Sequence, residues 1–211
     1  MEEKQRMNGD LRRRILDTTR HLLVSEGYNS LSMRKIARAI GYSATSIYLH
    51  FESKDALVHA LIEEGMAQKY ETLRSIAEAH REDVIARLKA LCRGYIDFGI
   101  DNPEYYEIMY MLHPEQMARF PAEKYRRARR NLEVIVDTLR EGAEGKLLYV
   151  EDPLVAASAI WAALHGAVSL LFSRRMDVRV DREAFIDTVI SQTLRSYIVA
   201  PEGADAGVST V

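Results

Sequence analysis

The stretch GYNSLSMRKIARAIGYSATSIYLHFESKDAL, Gly27 to Leu57, holds the residues whose types and spacing could do chemistry. Ala37, Gly41 and Ile47 stand at the spacing of a helix–turn–helix pair. Ala37 has to be small where a second helix crosses. Gly41 falls where the chain leaves the first helix, a position that favours the left-handed conformation. Ile47 faces inward and anchors the second helix on the first. Ser43, Ala44, Thr45, Ser46, Tyr48 and Leu49 then face outward, and most of them are small or hydrogen-bonding. Such a face suits a DNA major groove, where bulk blocks approach and hydroxyls meet phosphates and base edges. The same spacing also describes an ordinary helical corner in an all-α core, and spacing alone leaves both readings open.

Enzyme chemistry finds little to work with. The sequence has no glycine-rich phosphate loop, no HExxH and no G-x-S-x-G elbow. His59 and Glu63, four residues apart on a helix, could share a metal, but two ligands make a weak site. Cys92, beside Arg93 in an apolar helix, leaves a redox thiol open. As the one cysteine it can form neither an internal disulfide nor a Cys-based metal site. The expectation is therefore no catalytic residue, no metal and no cofactor.

The elements that must position these residues are helical nearly throughout. Leu11, Ile15, Leu16, Thr19, Leu22 and Leu23 form one helical stripe that ends near Gly27. Ser32 caps a segment with Met33, Ile36, Ala37 and Ile40 on one face, and Gly41 stops it. Ser43 opens another segment ending near Phe51. Ser53 with Asp55 starts a long helix that runs to about His80. Beyond it, longer helices are punctuated at Asp101-Asn102-Pro103, His113-Pro114, Pro121, Gly142 to Gly145, Asp152-Pro153 and Met176 to Asp181. The fold class is all-α: three short helices, a long connecting one, then about five in a larger body. The expected division is a DNA-binding head, residues 1–54, a ligand-binding and dimerisation body, 55–200, and a flexible tail, 201–211.

Composition agrees with a globular chain. Its 211 residues, 47% hydrophobic and 28% charged, exclude intrinsic disorder and suffice for one domain or two small ones. The net charge of −2 hides an asymmetry. Residues 1–54 carry ten Lys/Arg against six Asp/Glu (+4), and the rest carries nineteen against twenty-five (−6). A basic head on an acidic body suits a protein that docks one end on a polyanion. The N-terminal MEEKQRMNGDLRRR lacks the apolar run of a signal peptide, so a cytoplasmic location is expected.

The run G-Y-S-x-x-S-I-Y-x-H-F-x-S-K-D-A-L, preceded by EGYNSLSMRKIARAIG, resembles the signature of the TetR/AcrR family of bacterial transcriptional regulators. The resemblance covers roughly the first 60 residues, where many unlike positions agree in fixed register. It implies a ligand-responsive regulator, a repressor by expectation, that binds palindromic double-stranded operator DNA as a homodimer. Carried over residue by residue, it implies that Arg34 touches a phosphate or base and that Ser43, Thr45 and Ser46 face the groove. Tyr48 and His50 would bind the DNA backbone, and Lys54 would pair with a phosphate. Lys and Gly are frequent in the family where this chain has Ala44 and Thr45. That puts one phosphate contact in doubt, while Ala44 could pack against a thymine methyl. The alternatives are a small-molecule binding protein, or a helical enzyme, with a vestigial DNA head.

The body is less explicit. Pro153 to Phe172 has twenty residues without a formal charge, long enough to span a bilayer. Its alanines, serines, His165 and Gly166 fit better a helix buried on nearly all sides between its own body and a partner subunit. No membrane partner is expected. The resemblance agrees, implying a dimer through the last two helices, about 152–175 and 182–199. W-x-x-x-H-G, as Trp161, His165 and Gly166, also resembles a C-terminal motif of one branch of the family. Trp161 and His165 share a helical face and either border a ligand cavity or form core. Tyr95, Phe98, Tyr106, Met109, Tyr110 and His113 could line an apolar pocket for a small, largely apolar effector, or be plain core. The basic run from Lys124 to Arg130 reads most simply as a solvated helix face, with an anionic ligand such as an acyl thioester as the minor option.

Overall fold

A computed structural model describes residues 2–112, 117 and 122–199. The elements in chain order are α1 (Glu2–Glu26), a 3-10 turn (Tyr28–Ser30), α2 (Met33–Ile40), α3 (Ala44–Tyr48), α4 (Lys54–Ala79), α5 (Val84–Asp101), α6 (Pro103–Tyr106) with a π-helical turn (Glu107–Met111), α7 (Ala122–Glu144), α8 (Pro153–Phe172) and α9 (Arg182–Arg195). Among the described residues there is no strand, only a single antiparallel bridge, Leu148 to Ile198. The fold is all-α, as the periodicity requires. His113, Pro114 and Pro121, and the tail 201–211, lie outside the described residues.

One expectation about the elements needs correction. The first helix is not short: α1 has 25 residues, its first turn being made of good helix formers and the helix continuing through Asn8 and Gly9. The expected break at Gly142 to Gly145 is present, with α7 ending at Glu144. Gly142 also serves packing, since a Cβ there would collide with the Leu148 side chain.

The chain forms two compact units. One comprises Met1–Gln68 with Asp101–Ala128, the other Lys69–Ile100 with Arg129–Val211. In the first, Ile15, Leu16 and Leu23 of α1 meet Ile36 and Ile40 of α2, Ile47 of α3 and Leu57 and Leu61 of α4. Tyr105 and Ile108 complete the same core from α6 and the turn after it. Each such side chain removed from water contributes about 1.5–3 kcal/mol. Gly65 lets α6 approach α4, for a Cβ there would meet the Met109 sulfur and the Tyr105 ring. A polar network covers this junction. Arg13 donates to Asp17 (2.9 and 2.6 Å) and Glu64 (2.5 Å), and Tyr105 Oη donates to Glu64 at 2.6 Å. Arg20 donates to Tyr105 Oη (2.9 Å) and pairs with Glu104 (2.9 Å).

In the second unit, Leu73, Leu88, Leu91, Ile96, Leu139, Ile160, Leu164, Ile186 and Leu194 are fully buried or nearly so. Asp152 caps α8, accepting from Leu154 N (2.8 Å) and Val155 N (3.2 Å), with Pro153 in the first turn where its missing N–H costs nothing. Tyr149 N donates to Tyr197 O (2.7 Å) and Val199 N to Leu147 O (3.2 Å), clipping the end of α9 to the segment after α7. Within one chain α8 is not buried on nearly all sides. Ala156, Ala157, Ile160, Leu164, Ala167 and Val168 face the core, whereas Leu154, Val155, Ala159, Ala162, Gly166 and Leu170 are exposed. The fold supplies apolar cover for one face only.

Candidate nucleic-acid interface

The presenting surface is assembled from local rules. Ser32 Oγ accepts Lys35 N–H and starts α2, whose Met33, Ile36, Ala37 and Ile40 turn inward. Gly41, at φ 75° and ψ 31°, takes the left-handed conformation that ends the helix, and Tyr42 N donates back to Ala37 O at 2.9 Å. That reversal lets Ser43 cap α3 by accepting Ser46 N–H at 3.1 Å, with the Ser43 and Ser46 hydroxyls 2.9 Å apart. Ile47 has no exposed surface and locks α3 to the head core. Arg14 Nη2 donates to Ile40 O (3.0 Å), satisfying a carbonyl at the end of α2.

With α3 held this way, Ser43, Thr45, Tyr48 and Leu49 are exposed, and Arg34 is exposed on α2. Ala44, Ser46 and His50 are half-buried, and Ala44 packs against the head core, so its methyl is only partly available to a partner. Lys54 is half-buried at the start of α4: its Nζ donates to Tyr28 O (3.1 Å) and lies 3.8 Å from the Tyr28 ring centroid. Tyr28 Oη in turn donates to Asp55. Burial first, and that hydrogen bond second, push the Tyr28 hydroxyl up to about 12. The eight sequence-nominated residues, Arg34, Ser43, Ala44, Thr45, Ser46, Tyr48, His50 and Lys54, therefore sit on or beside one helix-turn-helix. Sequence reasoning passed over Tyr42 and Arg38 on the same elements. Both are exposed, and the Arg14 guanidinium lies 5.4 Å from the Tyr42 ring centroid. The signal for Tyr42 was present, an aromatic residue directly after the helix-ending glycine.

The residues nominated for a ligand divide between the two units. In the first, Tyr106 is buried with its ring 5.0 Å from that of Tyr110, Tyr110 Oη lies 4.0 Å from Met66 Sδ, and Met109 packs on the head core. In the second, Trp161 Nε1 donates to Tyr95 Oη at 2.9 Å, the Trp161 and His165 rings are 5.7 Å apart, and Phe98 is buried. His113 lies outside the described residues. Among the described residues no three His, Cys, Asp or Glu side chains converge as for a metal. Glu63 instead accepts Lys124 at 2.8 Å. Lys124 is thus engaged, and Arg130 lies over the Tyr70 ring at 4.1 Å, so the basic run is not simply solvated. The Cys92 thiol is buried and pushed up to about 12 by burial, leaving almost no thiolate for redox chemistry at neutral pH.

A basic helix-turn-helix head joined to a helical body defines a DNA-binding transcriptional regulator, and comparison with known proteins gives the family. Residues 15–61 match the model of bacterial regulatory proteins of the tetR family, and residues 88–193, half of the chain, match that of the tetracyclin repressor-like C-terminal domain. The chain belongs to the TetR family of bacterial regulatory proteins. Similar proteins include the HTH-type transcriptional repressor Rv1474c of Mycobacterium tuberculosis, 38% identical over 37% of this chain and 38% of that one. The nucleoid occlusion factor SlmA of Escherichia coli is 27% identical over 80% of this chain and 86% of its own. The chain covers less than half the length of the first three curated relatives. Among solved structures, a Rhodococcus protein of unknown function matches with TM-score 0.77 and 22% identity over 90% of this chain and 96% of its own. The fatty acid degradation regulator FadR of Bacillus halodurans matches with TM-score 0.69 and 23% identity over 87% and 94%. At these identities the structures speak for the fold.

Proposed function

We propose that this protein is a cytoplasmic, ligand-responsive repressor that binds a palindromic operator as a homodimer and is released by a small, largely apolar effector. The observation that carries the reading is the surface of α3: exposed hydroxyls and small side chains on a short helix locked by Ile47 and capped by Ser43. In this reading Ser43, Thr45 and Ser46 face the groove, Ala44 offers its partly buried methyl to a base, Arg34, Tyr48 and His50 hold phosphates or base edges, and Lys54 fixes the start of α4 on the backbone. The uncharged, exposed face of α8 supports the dimer, since a second copy would cover Leu154, Val155, Ala162, Gly166 and Leu170. Two heads related by that two-fold read half-sites one or more helical turns apart. The effector site lies among the body's aromatic residues, with Tyr95, Trp161 and His165 at its centre.

The test is binding of the full chain to the DNA upstream of its own coding region, measured across a range of salt. The expected result is a protected two-fold site whose affinity falls steeply as salt rises. Absence of any protected site, with salt-insensitive weak binding everywhere, overturns the repressor reading in favour of a binding protein with a vestigial head.

A further inference from the structure

Three consecutive arginines of α1 have three different surroundings. Arg13 serves the fold, bonded to Asp17 and Glu64. Arg12 and Arg14 turn instead to the two flanks of α3. The Arg14 guanidinium sits before that helix, donating from Nη2 to Ile40 O at 3.0 Å and lying 5.4 Å from the ring centroid of Tyr42. The Arg12 guanidinium sits after it, 5.0 Å from the ring centroid of Phe51. Both arginines are exposed, and among the described residues neither pairs with a carboxylate. Other cations of the head are engaged: Arg20 pairs with Asp17 and Glu104, Lys35 with Glu26, and Lys54 donates to Tyr28 O. An arginine laid over an aromatic ring keeps the N–H edges of its planar fork outward and has less freedom to lose when an anion arrives.

The geometry points to Arg12 and Arg14 as a phosphate clamp around α3: each holds one phosphate of the DNA backbone, Arg14 beside the start of the helix and Arg12 beside its end. A helix seated in the major groove has a sugar–phosphate strand on either side, so cations at its flanks meet backbone rather than base edges. A guanidinium fork matches two phosphate oxygens at once. The bond to Ile40 O uses one N–H of Arg14 and leaves the others for the anion. This assignment rests on the operator-binding reading proposed above, and adds to it contacts from α1, an element outside the helix-turn-helix pair.

The test measures binding of the full chain to the duplex upstream of its own coding region and to a scrambled duplex of equal length, each across a range of salt. Arg12→Gln and Arg14→Gln are each expected to lower the slope of log affinity against log salt by about 0.9 on both duplexes, and the double variant by about twice that. Arg14→Lys keeps the charge while giving up the fork, and is expected to keep the slope. Arg81→Gln, at the exposed turn after α4, removes a cation elsewhere and is expected to leave the slope unchanged. Arg12 has no hydrogen bond to lose among the described residues, so its variant keeps the test decisive should Arg14→Gln loosen the turn. An unchanged slope in either folded glutamine variant overturns the clamp, as does an equal loss in Arg81→Gln. So does an Arg14→Lys chain that behaves as Arg14→Gln, which makes Arg14 a support for the end of α2 only. Salt-insensitive binding of the unaltered chain to both duplexes removes the clamp and the operator reading together. Unchanged slopes in the arginine variants of a chain that protects its upstream site remove the clamp alone.

Discussion

At the scale of single residues, the head separates side chains that build the surface from side chains that use it. Ile36, Ala37, Gly41 and Ile47 set the crossing of α2 and α3, while Thr45 and Tyr48 are exposed on α3. The two classes fail differently. Thr45→Ala is expected to alter base preference in an operator-variant binding series while leaving thermal stability unchanged. Lys54→Ala is expected to weaken binding to all sequences alike and to reduce the slope of log affinity against log salt by about one phosphate contact. An unaltered salt slope removes Lys54 from the phosphate-binding set. Ile47→Ala acts on the first class. Losing a side chain with no exposed surface costs about 2–5 kcal/mol, read as a lower melting temperature of the head and loss of operator binding together.

At the scale of elements, α8 carries a conflict that the isolated chain does not resolve. Its core face is alanine-rich and closely packed, and its other face is apolar, uncharged and exposed. A Cβ at Gly166 meets nothing within 4 Å in the chain itself, so a side chain there costs no intramolecular packing. Gly166→Glu is therefore expected to fold with its helical content intact yet to sediment as a monomer. A variant that remains dimeric places the interface elsewhere. The elements also show what a sequence yields. Ser32, Gly41, Ser43 and Asp152 were legible because a cap or a left-handed turn is decided by residues a few positions apart. The uncharged run of α8 announced its length and apolarity, but only the fold shows which face is covered. The break at Gly142 to Gly145 was legible too, with α7 ending at Glu144, but only the fold shows that Gly142 also admits Leu148. Lys69, buried on α4, was invisible, since its burial depends on α5 and leaves no local pattern. The nominated aromatic set mixed side chains from both units because proximity in sequence between Tyr95 and Tyr110 says nothing about which core each joins.

At the scale of the whole molecule, α4 contributes residues to both compact units, and the reading proposed here makes it the route by which effector and operator influence each other. Such coupling of about 1–3 kcal/mol has to be reciprocal. Saturating operator DNA is expected to weaken effector binding, followed by Trp161 emission, by the same factor that effector weakens operator binding. Equal effector affinity with and without operator would sink the switch. Overall stability should also carry the mark of Lys69. Its amine is lowered from 10.5 to about 7 by burial in the folded chain, so between those values the unfolded state holds more protons than the folded state. Stability from this group therefore rises as pH climbs through that window and is lost as pH falls through about 7. Denaturant titrations at pH steps across it should show this slope in the unaltered protein and a flatter one in Lys69→Met.

The head core has one more consequence, for how modular such a regulator can be. Tyr105 and Ile108, some forty residues beyond α4's contribution, are buried in the same cluster as Ile15, Ile36 and Ile47, and Tyr105 Oη is bonded to Glu64. A chimera that grafts residues 1–54 alone onto another regulator's effector-binding half would inherit DNA specificity but leave its own hydrophobic floor unfinished. Transplantation of operator preference between family members should succeed only when the segment around Tyr105 and Ile108 travels with the head, or when the recipient supplies side chains of equal size at those two places. A graft of residues 1–54 with mismatched residues there should melt earlier than one carrying both.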